Sequence, residues 1–260
     1  MTRFFYFISM LLISGSLSAQ NLAINRIAPV HLNSPDSVKV RTNYADRSDF
    51  HFKSALLPVS LVAAGAIIES LPSQTYFSKE RDQMRVQNRI NGFRTKADNY
   101  LQFVPVAALF SFKLAGMKSR SDLLNQAIIS AKSEFLMLAI VSSMKYVIHD
   151  WRPDETSDNT MPSGHTAQAF VSATLLDMEY RDTSPWISVG GYLCATATGI
   201  FRVTNNRHWV SDVLIGAGIG IASVKVVYLT HRYRWSKMSS AVIVPTLYQN
   251  GGGVAFAMKF

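Results

Sequence analysis

Three short stretches decide the fold of this chain: KYVIHDWRP at residues 145–153, MPSGHT at 161–166 and FRVTNNRHWVSD at 201–212. Each is polar and adjoins a long apolar run, so that one helix is expected to end near 148, one to start at 164, one to end near 202 and one to start near 209. Apolar runs of about 20 residues are typical of helices that cross a membrane. The three stretches therefore predict polar loops that meet at one end of a helical bundle.

The composition points in the same direction. Hydrophobic residues make up 48% of the 260 residues and charged residues only 17%, against about 25% charged in an ordinary soluble domain. The net charge of +9 suits a partner that is an anionic lipid or a phosphate. The basic residues lie scattered between apolar runs without forming a stripe, which disfavours nucleic-acid binding. The single cysteine, Cys194, is interpreted as a small packing residue.

We expect an all-α, membrane-embedded bundle of about five to six helices, occupying residues 54–231. The apolar segments that predict these helices are 54–71, 100–117, 123–148, 164–180, 186–202 and 209–230. A further surface helix is expected over 79–94. The tail, 232–260, begins with a basic flank and then alternates around Gly251-Gly-Gly, which predicts a short β-hairpin.

The first residues have the pattern of a secretory signal. Arg3 precedes an apolar stretch from Phe4 to Ile13, and small residues follow up to Ala19. We expect a signal peptide at 1–19 and a polar extracytoplasmic leader at 20–53. An uncleaved anchor helix is the alternative.

The basic residues of the three stretches suit a phosphoryl group. Transfer of such a group depends on positioning and on fixed positive charge around its oxygens, and Lys145, Arg152 and Arg202 could supply that charge. Ser163 and Gly164 precede an apolar helix, where backbone N–H groups and a hydroxyl can hold an anion.

Two histidines complete this chemistry. His208 and Asp212 are four residues apart, on one face of a helix, so the carboxylate could hold one ring nitrogen and leave the other free to attack phosphorus. His165 could then protonate the leaving oxygen. Water would hydrolyse the resulting phosphohistidine, and neither a metal nor another cofactor is required.

The pattern Lys-x6-Arg-Pro, Pro-Ser-Gly-His and Arg-x5-His-x3-Asp resembles the type 2 phosphatidic acid phosphatase (PAP2) superfamily. The resemblance implies a PAP2/acid phosphatase-like helical core, with His208, His165 and Asp212 as catalytic residues. It implies phosphate binding by Lys145, Arg152, Ser163, Gly164 and Arg202. One departure is Phe201, where the family usually has a serine.

Within this family, the apolar helices and the short loop 149–162 favour the membrane lipid phosphatase branch, resembling bacterial lipid A phosphatases. Lipid A dephosphorylation at the periplasmic face of the inner membrane is the leading hypothesis, and undecaprenyl diphosphate or phosphatidylglycerol phosphate are the alternative substrates. A soluble periplasmic acid phosphatase is the alternative of another class. A non-enzymatic relic and a vanadium haloperoxidase are disfavoured. No protein partner is expected beyond the bilayer and its lipid.

Membrane topology adds a constraint. A secreted leader followed by three crossings would place the loops in the cytoplasm, whereas the hypothesis needs them in the periplasm. We therefore expect one early segment not to cross fully, and choose 54–71 because it contains Pro58 and Glu69.

Overall fold

The computed structural model describes residues 53–90, 92–231, 242–248 and 251–257. The expected signal peptide, almost all of the leader and most of the basic flank lie outside these ranges. The described helices are α1 (Lys53–Ser70), α2 (Lys79–Ile90), α3 (Asp98–Leu101), α4 (Val104–Leu114), α5 (Leu123–Val147), α6 (Gly164–Tyr180), α7 (Pro185–Thr204) and α8 (Val210–Thr230). The all-α bundle is confirmed.

The predicted hairpin is also present. Strands β1 (Val242–Tyr248) and β2 (Gly251–Ala257) pair antiparallel, with Val242 opposite Ala257 and Tyr248 opposite Gly251. The three glycines, Gly251 to Gly253, lie within β2, opposite Thr246 to Tyr248 of β1.

The centre of the bundle is α6, whose residues are buried along most of its length. It packs against α4, α5, α7 and α8. Gly216 and Gly220 of α8 allow its backbone to approach α6 closely: a Cβ on Gly220 would lie 2.5 Å from the carbonyl oxygen of Ala167. Small residues provide such contacts between helices whose surroundings are apolar.

The helices run alternately between two ends of the bundle. At one end, which we call the site end, are the C-termini of α1, α5 and α7 and the N-termini of α3, α6 and α8. The opposite end holds the turn 115–122, where the N–H of Ser121 donates to Glu179 of α6 over 2.8 Å. The α3–α4 segment crosses from the site end towards that turn, since the Tyr180 hydroxyl donates to the Leu109 carbonyl over 3.1 Å.

Our expectation that segment 54–71 falls short of a full membrane crossing stays a prediction, and this segment forms helix α1. It runs antiparallel to α8, with Glu69 bonded to Ser211 at 2.8 Å and the Ser54 carbonyl bonded to Lys225. Gly65 and Gly218 allow close contact between the two helices. Glu69 lies at the site end, where it pairs with Lys79, so this carboxylate does not prevent α1 from accompanying α8 across the bundle.

The outer surface of the bundle is apolar. Phe135 on α5 is 76% exposed and Leu193 on α7 is 64% exposed. Helices α5 and α8 are long and apolar enough to cross a membrane, with mean hydropathies of 1.5 and 1.9. Large exposed apolar surfaces of this kind indicate that the bundle lies among lipids.

Candidate functional site

Two hydrogen bonds join the three sequence stretches at the site end. The N–H of Ser163 donates to the Asp212 carbonyl over 3.1 Å, which ties the start of α6 to the start of α8. The indole N–H of Trp209 donates to the Trp151 carbonyl over 2.8 Å, which ties the loop 148–163 to the same helix. The structure thus brings all three stretches together.

The His208 ring is held at one edge by Asp212 and Thr160. Its Nδ1 lies 3.1 Å from the Thr160 hydroxyl oxygen and 3.3 Å from Asp212 Oδ2. The Thr160 hydroxyl donates its only proton to Asp212 Oδ2 over 2.6 Å. Because that proton is already used, the Thr160 oxygen accepts from His208, and Nδ1 of the ring carries hydrogen.

This arrangement leaves the other ring nitrogen available. Among the described residues, none forms a hydrogen bond with His208 Nε2, which therefore bears a free lone pair. Asp212 Oδ2 also accepts from the backbone N–H of Trp209 at 2.9 Å. The carboxylate is thus fixed by three donors, and it fixes the imidazole in turn.

Burial keeps His208 uncharged. The side chain is 2% exposed, and burial lowers the pKa of His208 to about 4, although the hydrogen bond and negative charge of Asp212 act in the opposite direction. The imidazole is consequently neutral at pH 7, as a nitrogen nucleophile must be.

Three predicted cations lie around this histidine. Lys145 donates to the carbonyls of Asn159 and Thr160, and Arg202 pairs with Asp98 at 2.8 Å. The Nε atoms of Arg152 and Arg202 are both buried, and neither has a hydrogen-bond partner in the described part of the chain. Buried guanidinium donors without partners are expected where an anion binds.

The electrostatics of Arg152 support this view. Burial lowers its pKa, and the positive charge of Arg202 lowers it further. The guanidinium still stays protonated at neutral pH. Positive charges gathered closely enough to disturb one another would be relieved by a bound phosphate.

The remaining predicted residues lie at the start of α6. His165 Nε2 lies 3.0 Å from Asn99 Oδ1, and the charges of Arg202, Asp98 and Arg152 act on its ring. The Ser163 hydroxyl is fully buried and paired with Thr166 at 2.9 Å. A Cβ on Gly164 would meet only Val141, at 4.0 Å, so the backbone there remains approachable.

A cavity of about 700 Å³ opens beside these groups. Its lining includes the predicted Arg152 and Arg202, together with residues that the sequence analysis did not select. These additional residues are Arg94, Thr95, Lys96, Asp98, Asn99, Asp154, Asn205, Asn206 and Arg207.

Sequence reasoning also missed Thr160, Asp98 and Asn99 as partners of the site. Thr160 lies two residues before Pro162, where the Pro-Ser-Gly-His motif begins, and its position beside that motif could have marked it as a site residue. Asp98 and Asn99 lie on α3, 104 and 66 residues away from the side chains that they contact, and no local pattern connects them.

A partly buried ion-pair network lies next to the site. Lys79 of α2 pairs with Glu69 of α1 and, at 3.0 Å, with Asp150 of the loop. Its ammonium also lies 5.3 Å from the ring centroid of Trp209, the residue that follows His208. The network holds α1, α2, the loop and the start of α8 in one arrangement.

Known proteins resemble parts of this chain. A 130-residue stretch, 50% of the chain, is 49% identical to a lipid A 1-phosphatase from Porphyromonas gingivalis, of which the match covers 29% of the length. A solved structure of a transmembrane PAP2 type phosphatidylglycerolphosphate phosphatase from Bacillus subtilis covers 68% of this chain and 99% of its own, at 21% identity and a TM-score of 0.41.

The family comparison covers α5 to α8, the helices that carry the site. Residues 127–236 match the description PAP2 superfamily, and this range contains all eight residues that the sequence motifs selected. Through residues 127–236, the chain is similar to the PAP2 superfamily.

Proposed function

We propose that this protein is a metal-independent lipid phosphatase that works through a phosphohistidine intermediate. The observation that carries the proposal is the His208 ring, whose Nδ1 is bonded to Asp212 and Thr160 while Nε2 is free. The two unpartnered guanidinium nitrogens of Arg152 and Arg202 lie in the same region. Phosphoryl transfer needs a neutral nucleophile and cationic donors that are free to bind the phosphate oxygens.

In the first step, His208 Nε2 attacks phosphorus and the bond to the leaving oxygen breaks. The leaving oxygen takes the bond's electron pair and a proton from His165, which must enter this step protonated. Asp212 stabilises the positive charge that develops on the His208 ring. Lys145, Arg152 and Arg202 neutralise the phosphoryl oxygens, together with the backbone at Ser163 and Gly164.

In the second step, water attacks phosphorus and the P–N bond breaks. His165, now neutral, accepts a proton from the water and returns to its starting state. The bond's electron pair returns to His208 Nε2, and phosphate leaves. The residues finish as they began, so the cycle is closed.

Lipid A is the substrate that we propose, with undecaprenyl diphosphate and phosphatidylglycerol phosphate as alternatives. The similar protein from Porphyromonas gingivalis is named a lipid A 1-phosphatase, and its similarity to half of this chain supports the choice. The apolar outer surface of the bundle favours a lipid substrate over the soluble phosphate esters of an acid phosphatase.

The test is phosphate release by purified protein from each of the three lipids. Wild-type protein should release phosphate, and His208→Ala should lower kcat by at least about 1,000-fold because the nucleophile is lost. His149→Ala is the matched control, since His149 is an exposed loop histidine paired only with Asp158. Equal rates for wild type and His208→Ala would refute the mechanism.

We also propose that the site faces the periplasm. This orientation rests on the proposal that α1 crosses the membrane beside α8, to which it is bonded near both of its ends. Three crossings, by α1, α3–α4 and α5, then separate residue 53 from the site end, and residue 53 faces the cytoplasm. A cleaved signal with a periplasmic leader is incompatible with that orientation. In a Cys194→Ala background, Glu155→Cys should react with an impermeant thiol reagent in intact cells, and Ser48→Cys only in lysed cells. The reverse pattern would place the site in the cytoplasm.

A further inference from the structure

The cavity that Arg152 and Arg202 line contains more positive charge than one phosphate requires. Five cations and two carboxylates line it. Both carboxylates are occupied: Asp98 pairs with Arg202 at 2.8 Å and Asp154 pairs with Arg207 at 3.0 Å. Of the described cations that line the cavity, Arg94, Lys96 and Arg152 therefore have no carboxylate partner.

Arg152 is already assigned to the phosphate that is removed, which leaves Arg94 and Lys96. Both belong to a segment, 94–96, that connects α2 to α3. They are two residues apart and both are exposed. Both contribute to the lining of the cavity.

Segment 94–96 is fixed to the site by reciprocal bonds with Asn205. The Thr95 N–H donates to Asn205 Oδ1 over 2.8 Å, and Asn205 Nδ2 donates back to the Thr95 carbonyl over 2.8 Å. Asn205 lies three residues after Arg202 and is itself only 9% exposed. Arg94 also donates to the Thr204 carbonyl over 2.9 Å. The two extra cations are thus attached to the same helix end as a phosphate-binding arginine.

We propose that Arg94 and Lys96 form an accessory anion subsite, which binds a second phosphate group carried on the substrate. The proposal rests on the proposed phosphatase function and specifies its substrate class: a lipid whose headgroup has two phosphates. The second phosphate is either linked directly to the first, as in an isoprenyl diphosphate, or separated from it by a sugar headgroup. In both cases it adds negative charge that Arg152 and Arg202 cannot neutralise alone.

The physical basis is charge-assisted hydrogen bonding in a partly enclosed space. Such bonds are about twice as strong as neutral ones, and here Asn205 fixes the backbone of Thr95, which lies between the two side chains. Because the backbone is fixed, less conformational entropy is lost on binding, and more of the interaction energy contributes to affinity. A substrate with one phosphate leaves these donors facing water and gains nothing from them.

The experiment compares substrates that differ only in the second phosphate. One pair is an isoprenyl monophosphate and the diphosphate of the same chain, and the other is lipid A with one and with two phosphates. For the wild type we expect kcat/KM to be higher for the doubly phosphorylated member of at least one pair, and the pair that shows this identifies the source. Arg94→Gln/Lys96→Gln should lower that preference about tenfold or more.

Two matched variants separate charge at the subsite from general effects. Arg81→Gln/Arg89→Gln removes the same charge from exposed positions on α2 that do not line the cavity, and it should keep the wild-type preference. Arg94→Lys/Lys96→Arg keeps both charges and should retain most of the preference. Should the glutamine variant not fold, the wild-type preference must still fall as salt increases, because added ions screen the subsite.

The outcomes are distinct. A wild type that hydrolyses both members of each pair with equal kcat/KM, or a preference that the glutamine variant retains, overturns the subsite but leaves the phosphatase intact. A wild type that releases phosphate from no substrate overturns the proposed function itself.

Discussion

Replacing Thr160 with valine tests whether the hydroxyl positions the nucleophile. Valine has nearly the shape of threonine, so the fully buried position stays filled. The change removes the 2.6 Å bond to Asp212 and the 3.1 Å bond to His208. What remains for His208 Nδ1 is the longer 3.3 Å contact with Asp212.

The expected magnitude follows from these contacts. A buried hydrogen bond to a charged group contributes about 1.5–3 kcal/mol. If most of this energy serves to hold the imidazole in its attacking orientation, the barrier rises by a similar amount, and kcat falls about 10- to 100-fold. KM should change little, because Thr160 is not among the residues that line the cavity.

The assay is phosphate release by detergent-solubilised protein over a range of pH, with thermal unfolding measured in parallel. Thr160→Ser keeps the hydroxyl and should recover most of the wild-type kcat. If Thr160→Val retains the wild-type kcat, the reasoning is wrong. If serine is as poor as valine while both proteins stay folded, the loss reflects packing and not the hydrogen bonds.

Three other predictions follow from the same structure. Because burial lowers the pKa of His208 to about 4, the nucleophile is neutral above that pH, and the acid limb of kcat/KM should fall near pH 4; a midpoint near 6.5 would contradict this. Asp98→Ala leaves Arg202 buried without its partner and should destabilise the fold by about 3–5 kcal/mol, with Asp98→Asn less harmful in thermal unfolding. Gly216→Ala places a Cβ 2.6 Å from a carbonyl oxygen of α6's N-cap and should cost about 1–3 kcal/mol, whereas Gly190→Ala meets nothing within 4 Å and should be tolerated.

The helices were predictable because each is a local property of the sequence. The apolar runs ending near 148 and starting at 164 correspond to α5 and α6, whose described bounds are Leu123–Val147 and Gly164–Tyr180. The hairpin was predictable from alternation around three glycines. The catalytic roles of His208, His165 and Asp212 remain predictions. The structure shows that these residues lie near one another, and their roles in a reaction are what the proposed experiments test.

Segment 54–71 illustrates the limit of local reasoning. Pro58 and Glu69 make it a weak crossing segment when it is considered alone. In the structure, Glu69 pairs with Lys79 and Ser211 at the site end, and close contact at Gly65 and Gly218 aligns α1 with α8. The two residues that Glu69 contacts, Lys79 and Ser211, lie 10 and 142 positions away along the chain.

The sequence by itself determined the helical bundle, its hairpin tail and the group of residues that suits phosphate chemistry, because periodicity, motif spacing and charge are recorded locally. Only the tertiary structure decided that the Thr160 hydroxyl contacts His208 and that the Asp98 carboxylate pairs with Arg202. These two pairs depend on contacts between separate segments. The bonds by which Asn205 holds Thr95 beside α7 depend on such contacts as well. Such contacts depend on three-dimensional proximity, which distance along the chain does not encode.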